Sequence, residues 1–165
     1  DVVFIGHYEN DGRDKTLEKI YKSGINLKIW GDYSWKYSDS IKRFEIFKNI
    51  KPIYGNDYTK AICGSKICLS FLSKLNRDAY TRRCFEIPAC GQLLLCERTN
   101  YLKKLFKEDI EACYFSNDEE LLEKIEFLLN NNEIRLKIAS NGRKKLLKLG
   151  LDIFSVTEDF IKKLK

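Results

Sequence analysis

Methionine is missing altogether from this 165-residue sequence, and histidine occurs once, as His7. Natural chains start with methionine, so its absence leads to the expectation that these residues are a fragment of a longer protein. Asp1 stands directly on an apolar run, Val2 to Ile5, which suits a cut at a domain boundary. No apolar run reaches the roughly eighteen residues of a membrane span, and no charged-then-apolar leader opens the chain. There is no CxxC pair, and one histidine cannot complete a Cys/His zinc set. The glycine fingerprint GxGxxG is absent as well, which disfavours NAD and FAD. Internal repeats, linkers and low-complexity segments are lacking.

What is present is an ordinary globular composition, 44% apolar and 33% charged. The length suits a single domain over residues 1–165. Of the six cysteines, Cys63, Cys68, Cys84, Cys90 and Cys96 fall within apolar helix or strand patterns, where a free thiol behaves as a small hydrophobe. This reads as reduced core thiols in a cytoplasmic protein. The formal charge of +6 is either a solvated lysine-rich surface or a means of concentrating an anionic partner: a nucleotide diphosphate, a polyanion or an acidic membrane face. Charge alone does not choose, so peripheral contact with a membrane stays open.

Along the chain, strand and helix periods alternate. Asp1 to Gly6 is an apolar strand, His7 to Gly12 a polar loop, and Arg13 to Lys22 a helix with Leu17, Ile20 and Tyr21 on one face. Asn26 to Trp30 is the next strand, which completes a right-handed βαβ unit. After a polar, aromatic loop to Asp39, Ile41 to Asn49 predicts a short helix and Pro52 to Gly55 a brief strand or extended turn. Asp57 is placed to cap a helix from Tyr58 to Gly64. Lys66 to Ser73 reads as a buried strand and Leu93 to Leu95 as another, with a short helix between. Asn100 to Phe106 is helical and Glu111 to Phe115 a last strand. Three helices close the chain: from a cap at Asn117 or Asp118 to Leu129, from Asn132 to Leu149, and from Phe154 to Lys165. The expected fold is α/β, a Rossmann-like doubly wound parallel sheet with a helical C-terminal extension.

The stretch from Thr81 to Thr99 organises the rest. Two cations, Arg82 and Arg83, and a carboxylate, Glu86, precede the buried leucine strand, and polar groups near strand ends are how parallel sheets build ligand sites. Arg83 and Glu86 lie one turn apart, so they either form a surface ion pair or frame a site, the arginine for phosphate and the glutamate for vicinal hydroxyls. Glu86 taken alone reads as a solvated surface glutamate. Pro88 makes this helix short. Glu97 and Thr99 follow the strand where a diphosphate would meet the next helix, although Thr99 reads as well as an ordinary helix cap. Gly6 ends the first strand and, with His7, shapes a loop that either admits a ligand to the backbone or is a plain turn. Arg13 opens a helix, where the dipole disfavours a cation, so it is either a surface accident or aimed at a bound anion.

The pattern T-x-R-x-F-E-x-P-A-x-G-x-L-L-L-x-E-R-T is carried by Thr81, Arg83, Phe85, Glu86, Pro88, Ala89, Gly91, Leu93 to Leu95, Glu97, Arg98 and Thr99. It resembles the spore-maturation CgeB-like glycosyltransferases of the two-Rossmann-domain GT-B superfamily. The opening Phe4-Ile5-Gly6 with Arg13, and the closing section from Glu111 to Lys145 with its I-A-x-x-G element (Ile138, Ala139, Gly142), are similar to that family too. The resemblance implies the C-terminal, donor-binding half of such an enzyme. Glu86 would hold the nucleotide ribose, Arg83 and the loop near Gly6 would face the diphosphate, and Tyr54 with Gly55 would lie near the base. It also implies no cofactor beyond the nucleotide-diphosphate sugar donor and no metal. The acceptor-binding N-terminal domain is missing from these residues, which places any catalytic base outside them and makes the fragment alone inactive. The E-x7-E motif of many retaining relatives is not met, because Asp78 and Ala79 stand eight and seven residues before Glu86.

Two rivals lie in other classes. A non-catalytic flavodoxin-like or response-regulator-like binding module needs an acidic cluster after the first strand, where this chain has Gly6 and His7. A nucleic-acid-binding domain needs a continuous basic face with aromatics, whereas here the lysines alternate with glutamates.

Overall fold

The apolar runs become the strands of one sheet: β1 (Val2–Ile5), β2 (Leu27–Trp30), β3 (Ile67–Ser70), β4 (Leu93–Glu97) and β5 (Cys113–Phe115). In the computed structural model, which describes residues 1–151 and 153–164, all five are parallel, in the order β2-β1-β3-β4-β5. Val2 pairs with Leu27 on one side and Ile67 on the other, and Ile67 pairs onward with Leu93. The inner strands are apolar without alternation because helices cover both faces of the sheet.

Those helices are α1 (Arg13–Lys22), α2 (Glu45–Lys48), α3 (Gly55–Cys63), α4 (Arg83–Ala89), α5 (Asn100–Leu105), α6 (Asp118–Asn130), α7 (Asn132–Lys148) and α8 (Ile153–Leu164). On one face, Phe4, Leu69 and Leu95 pack with Leu17 and Ile20 of α1 and Leu121, Ile125 and Leu128 of α6. On the other, Val3, Cys68, Leu94 and Cys96 pack with Ile62 of α3, Ile87 of α4, Leu102 of α5 and Leu146 of α7. The expected doubly wound α/β sheet with extra C-terminal helices is therefore the observed one.

Four local expectations change. The helix predicted over 41–49 contracts to the single turn of α2, preceded by 3-10 turns at Tyr33–Tyr37 and Asp39–Lys42. Asp32 and Ser38 start these turns by accepting from the amides of Ser34 and Ser40, the local competition that short polar side chains offer an α-helix. Asp57 does not cap α3, which begins at Gly55 with Tyr54 before it. Asp57 sits within the first turn, where a carboxylate suits the helix dipole. Pro52 to Gly55 forms no strand. All six cysteines are free, but only Cys68, Cys84, Cys96 and Cys113 are buried. Cys63, at the end of α3, is exposed and Cys90 is half-buried. Asn117 is the cap of α6, accepting from the Glu120 amide. The last predicted helix ends at Leu164, and Lys165 lies outside the described residues. Among the described residues, no helix is long and apolar enough to cross a membrane.

Candidate functional site

Strands β1 and β3 are neighbours, and the chain winds outward from them in opposite directions. Their carboxyl ends therefore flank the switch point of the sheet, where open α/β folds leave a crevice for ligands. The loops after β1 and β3 and the start of α4 all end there.

Arg83, the first residue of α4, reaches across this edge. Its Nε–H donates to the carbonyl of Ile5, the last residue of β1. Gly6 makes room for it, since a Cβ there would lie 3.1 Å from Arg83 Nη2 and 2.6 Å from the ring of Phe4. One turn on, Glu86 accepts a 2.5 Å hydrogen bond from the hydroxyl of Tyr58 on α3. Arg83 and Glu86 thus do not pair with each other; each turns to a different neighbouring element. Burial, reinforced by the Glu86 carboxylate, pushes the Tyr58 phenol well above its ordinary value.

A second group laces the loop after β1 to the ends of β3 and β4. Arg13 is buried rather than displayed. Its guanidinium donates to both Asp11 carboxylate oxygens at 2.9 and 2.7 Å, to the His7 carbonyl at 3.0 Å and to the Leu72 carbonyl at 3.4 Å. An incoming anion would have to compete with these oxygens. Burial works to raise the Asp11 carboxyl, but the hydrogen bonds from Arg13 outweigh it and hold that carboxyl below its ordinary value. Glu97, at the end of β4, accepts from the Leu72 amide at 2.6 Å. Burial raises its carboxyl in spite of that bond. Arg13, Lys15, Lys74 and Glu97 line a groove of about 350 Å³ between the start of α1 and the start of α6. Glu9 and His7 belong to this group too, Glu9 bonded to His7 at 2.7 Å and to Ser73 at 2.9 Å.

The remaining candidates lie further out. Tyr54 is 76% exposed and lines a separate groove of about 740 Å³ with Trp30, Lys51 and Lys60, while Gly55 opens α3 beside it. Thr99 caps α5 by accepting from the Leu102 amide at 3.1 Å, and its hydroxyl donates to the Ala79 carbonyl at 2.9 Å. The structure thus brings Gly6 and Arg83 together, ties Glu86 to Tyr58 on α3 instead, and places Arg13 and Glu97 in a neighbouring groove, with the His7 carbonyl on Arg13. Tyr58, Glu9, Ser73 and Lys74 escaped the sequence reading. Glu9 carried a faint signal, its i,i+4 spacing to Arg13. Tyr58 and Ser73 carried none, because their partners are distant in sequence.

The profile of a family described as glycosyl transferase-like matches residues 13–149. No protein of curated function matches the chain. Among solved structures it is similar to Anabaena HepE in complex with UDP-glucose, at 13% identity and a TM-score of 0.77, over 99% of this chain and 48% of that one. It is also similar to the C-terminal domain of LpcC from Francisella tularensis, a glycosyl transferase group 1 family protein (16% identity, TM-score 0.67, 92% of this chain and 86% of that). A third is sucrose-phosphate synthase from Thermosynechococcus elongatus (12% identity, TM-score 0.71, 99% and 45%). At these identities the likeness is one of fold. The chain spans about half the length of HepE.

Proposed function

Because the chain belongs to the glycosyl transferase-like family, we propose that it is the donor-binding domain of a GT-B glycosyltransferase of the CgeB-like group. It binds a nucleotide-diphosphate sugar, whose glycosyl group passes to a glycan, lipid-linked or protein acceptor held by a further domain. The single observation that carries this reading is Arg83 laid against Gly6 and the Ile5 carbonyl beside the β1–β3 switch point. It is supported by HepE, which has been seen with UDP and with UDP-glucose. The family match leaves the response-regulator-like alternative without support.

The chemistry follows from the residue types. Glu86 offers a carboxylate to the two hydroxyls of a ribose, once Tyr58 yields or shares it. Arg83 and the backbone at Gly6 face the diphosphate, with Glu97 and Thr99 further along the same edge, and Tyr54 with Gly55 faces the base. A leaving diphosphate gains negative charge at the bond that breaks. A cation fixed against the β1 carbonyl stabilises that charge without reorganising, and no metal is needed. Binding takes place in the cytoplasm, peripheral to a membrane where the acceptor is lipid-linked, and nucleic acid is not a partner.

A thermal-shift screen against nucleotides and nucleotide sugars tests the reading. Stabilisation by UDP, GDP or ADP and their sugars is expected, and a flat response to all of them refutes it. In calorimetry, Glu86→Ala weakens binding of the preferred diphosphate by about 1–3 kcal/mol, the loss of a charged hydrogen-bond pair. Equal affinity in variant and parent removes Glu86 from the site.

A further inference from the structure

Two thiols face each other between α4 and the sheet. Cys84 is the second residue of α4 and Cys96 the fourth of β4, and both are wholly buried. Their sulfurs stand 3.8 Å apart. Cys84 Sγ also lies 3.8 Å from Thr81 Oγ1. Each thiol adjoins a candidate site residue in the chain, Cys84 following Arg83 and Cys96 preceding Glu97. The hydrogen bond between the thiols lowers Cys84 below its ordinary value, while burial pushes Cys96 up, so Cys84 is the sulfur that ionises. Pro88 stands four residues beyond Cys84 and has no N–H, so the Cys84 carbonyl cannot receive its regular helical bond. That loosens the first turn of a helix only seven residues long and lets a small solute reach the pair when the turn opens.

We propose that Cys84 and Cys96 are an oxidation site for hydrogen peroxide, closing to a disulfide that draws α4 against β4 and weakens donor binding. The effect on binding rests on the donor-site reading; the bond itself does not. The Cys84 thiolate attacks one peroxide oxygen, the O–O bond breaks, and the departing hydroxide takes up the thiol's proton as water, leaving a sulfenic acid. The Cys96 sulfur then attacks the sulfenic sulfur. The S–S bond forms, the S–O bond breaks, and the second hydroxide leaves as water with the Cys96 proton. Two thiols are oxidised to one disulfide and one peroxide is reduced to two waters. A disulfide holds its sulfurs at about 2.05 Å, so the present gap has to shrink by about 1.7 Å. The core around the pair is close-packed, and the helix therefore moves with its side chain. Arg83, bonded to the Ile5 carbonyl, and Glu86, bonded to Tyr58, ride on that helix. In a reducing compartment such a bond is transient and works as a sensor, not as a staple.

Peptide mass and calorimetry on the 165-residue chain test this. Trypsin cuts after Arg83 and Arg98, so both thiols fall in one peptide together with Cys90. Cys90→Ser leaves them as its only sulfurs. After peroxide treatment, unfolding and iodoacetamide, that peptide is expected to be lighter by two hydrogens and unalkylated, and dithiothreitol is expected to restore two alkylatable thiols. A peptide that still takes up iodoacetamide at both positions, or a sulfinic acid on Cys84 beside a free Cys96, overturns the proposal. UDP and GDP are then titrated into the reduced and oxidised forms. The linked form is expected to bind the preferred diphosphate about tenfold more weakly, with full recovery in dithiothreitol. Cys96→Ala in the same background is expected to keep its affinity through peroxide treatment. If that variant does not fold, the oxidation and reduction cycle still decides. Equal affinity in linked and reduced forms overturns control of the site. A reduced chain that binds neither diphosphate sinks the donor-site reading and that control with it, while the peptide mass reads the bond independently.

Discussion

The hydroxyl of Tyr58 donates to Glu86 at 2.5 Å and so closes the gap between α3 and α4 over the carboxylate expected to meet a ribose. Glu86 is therefore not a bare surface group in the free protein but one held by a partner that a ligand has to displace or share.

Tyr58→Phe keeps the ring and removes the donor. The variant is expected to lose about 1 kcal/mol of stability in urea unfolding, the net worth of one hydrogen bond. Its affinity for the preferred nucleotide is expected to stay the same or rise, because Glu86 no longer has to be released. A marked loss of affinity would show that the Tyr58 hydroxyl itself contacts the ligand.

Gly142 lies on α7 where the helix crosses the turn before β5. A Cβ there would sit on the backbone carbonyl oxygen of Glu111, which cannot swing aside. Gly142→Ala is expected to destabilise the protein by about 1–3 kcal/mol, as overpacking does, despite alanine's better helix propensity. A melting temperature at or above that of the parent would contradict this crossing.

Arg98 hydrogen-bonds Glu120 and holds its carboxyl at about 2, below the ordinary 4.5. The folded value lies below the unfolded one. The pairing's contribution is thus fully present above about pH 4.5 and is lost as pH falls towards about 2. Both side chains are partly solvated, 24% and 27% exposed, so the effect stays under about 1 kcal/mol. Arg98→Met is expected to remove this part of the acid destabilisation. Melting temperatures measured down through that range should fall less steeply than in the parent, and identical slopes would count against the pair.

Trp35 is buried and its indole N–H donates to the Gly6 carbonyl at 2.8 Å, with Phe4 and Phe47 against its rings at 6.1 and 5.9 Å. Trp35→Phe leaves that carbonyl without its donor and is expected to cost about 1–3 kcal/mol in chemical unfolding. Trp30 remains as the single fluorescent reporter, since the sequence holds two tryptophans. No loss of stability would show that water satisfies Gly6 equally well.

Much of the architecture was legible in the residues. The helix read over Arg13 to Lys22 is α1 residue for residue, and the runs around Val2, Ile67 and Leu93 are the three inner strands. Short-range competition was harder to read. The side chains of Asp32 and Ser38 take the amides of Ser34 and Ser40 and divert the chain into 3-10 turns ahead of α2. Arg13 shows the harder limit. Its place at a helix start suggested either a surface accident or a cation aimed at a bound anion, yet oxygens from Asp11, His7 and Leu72 enclose it.

Sequence by itself determined the strands, the helices and, through their alternation, the parallel sheet covered on both faces, because continuous apolar runs and a helical period of 3.6 residues need only near neighbours. Tertiary structure alone decided what each polar group holds. Arg83 bonds a carbonyl 78 residues away and Ser73 a carboxylate 64 residues away. Such pairings depend on strand order, which sets which loops end side by side, and no local pattern encodes that order.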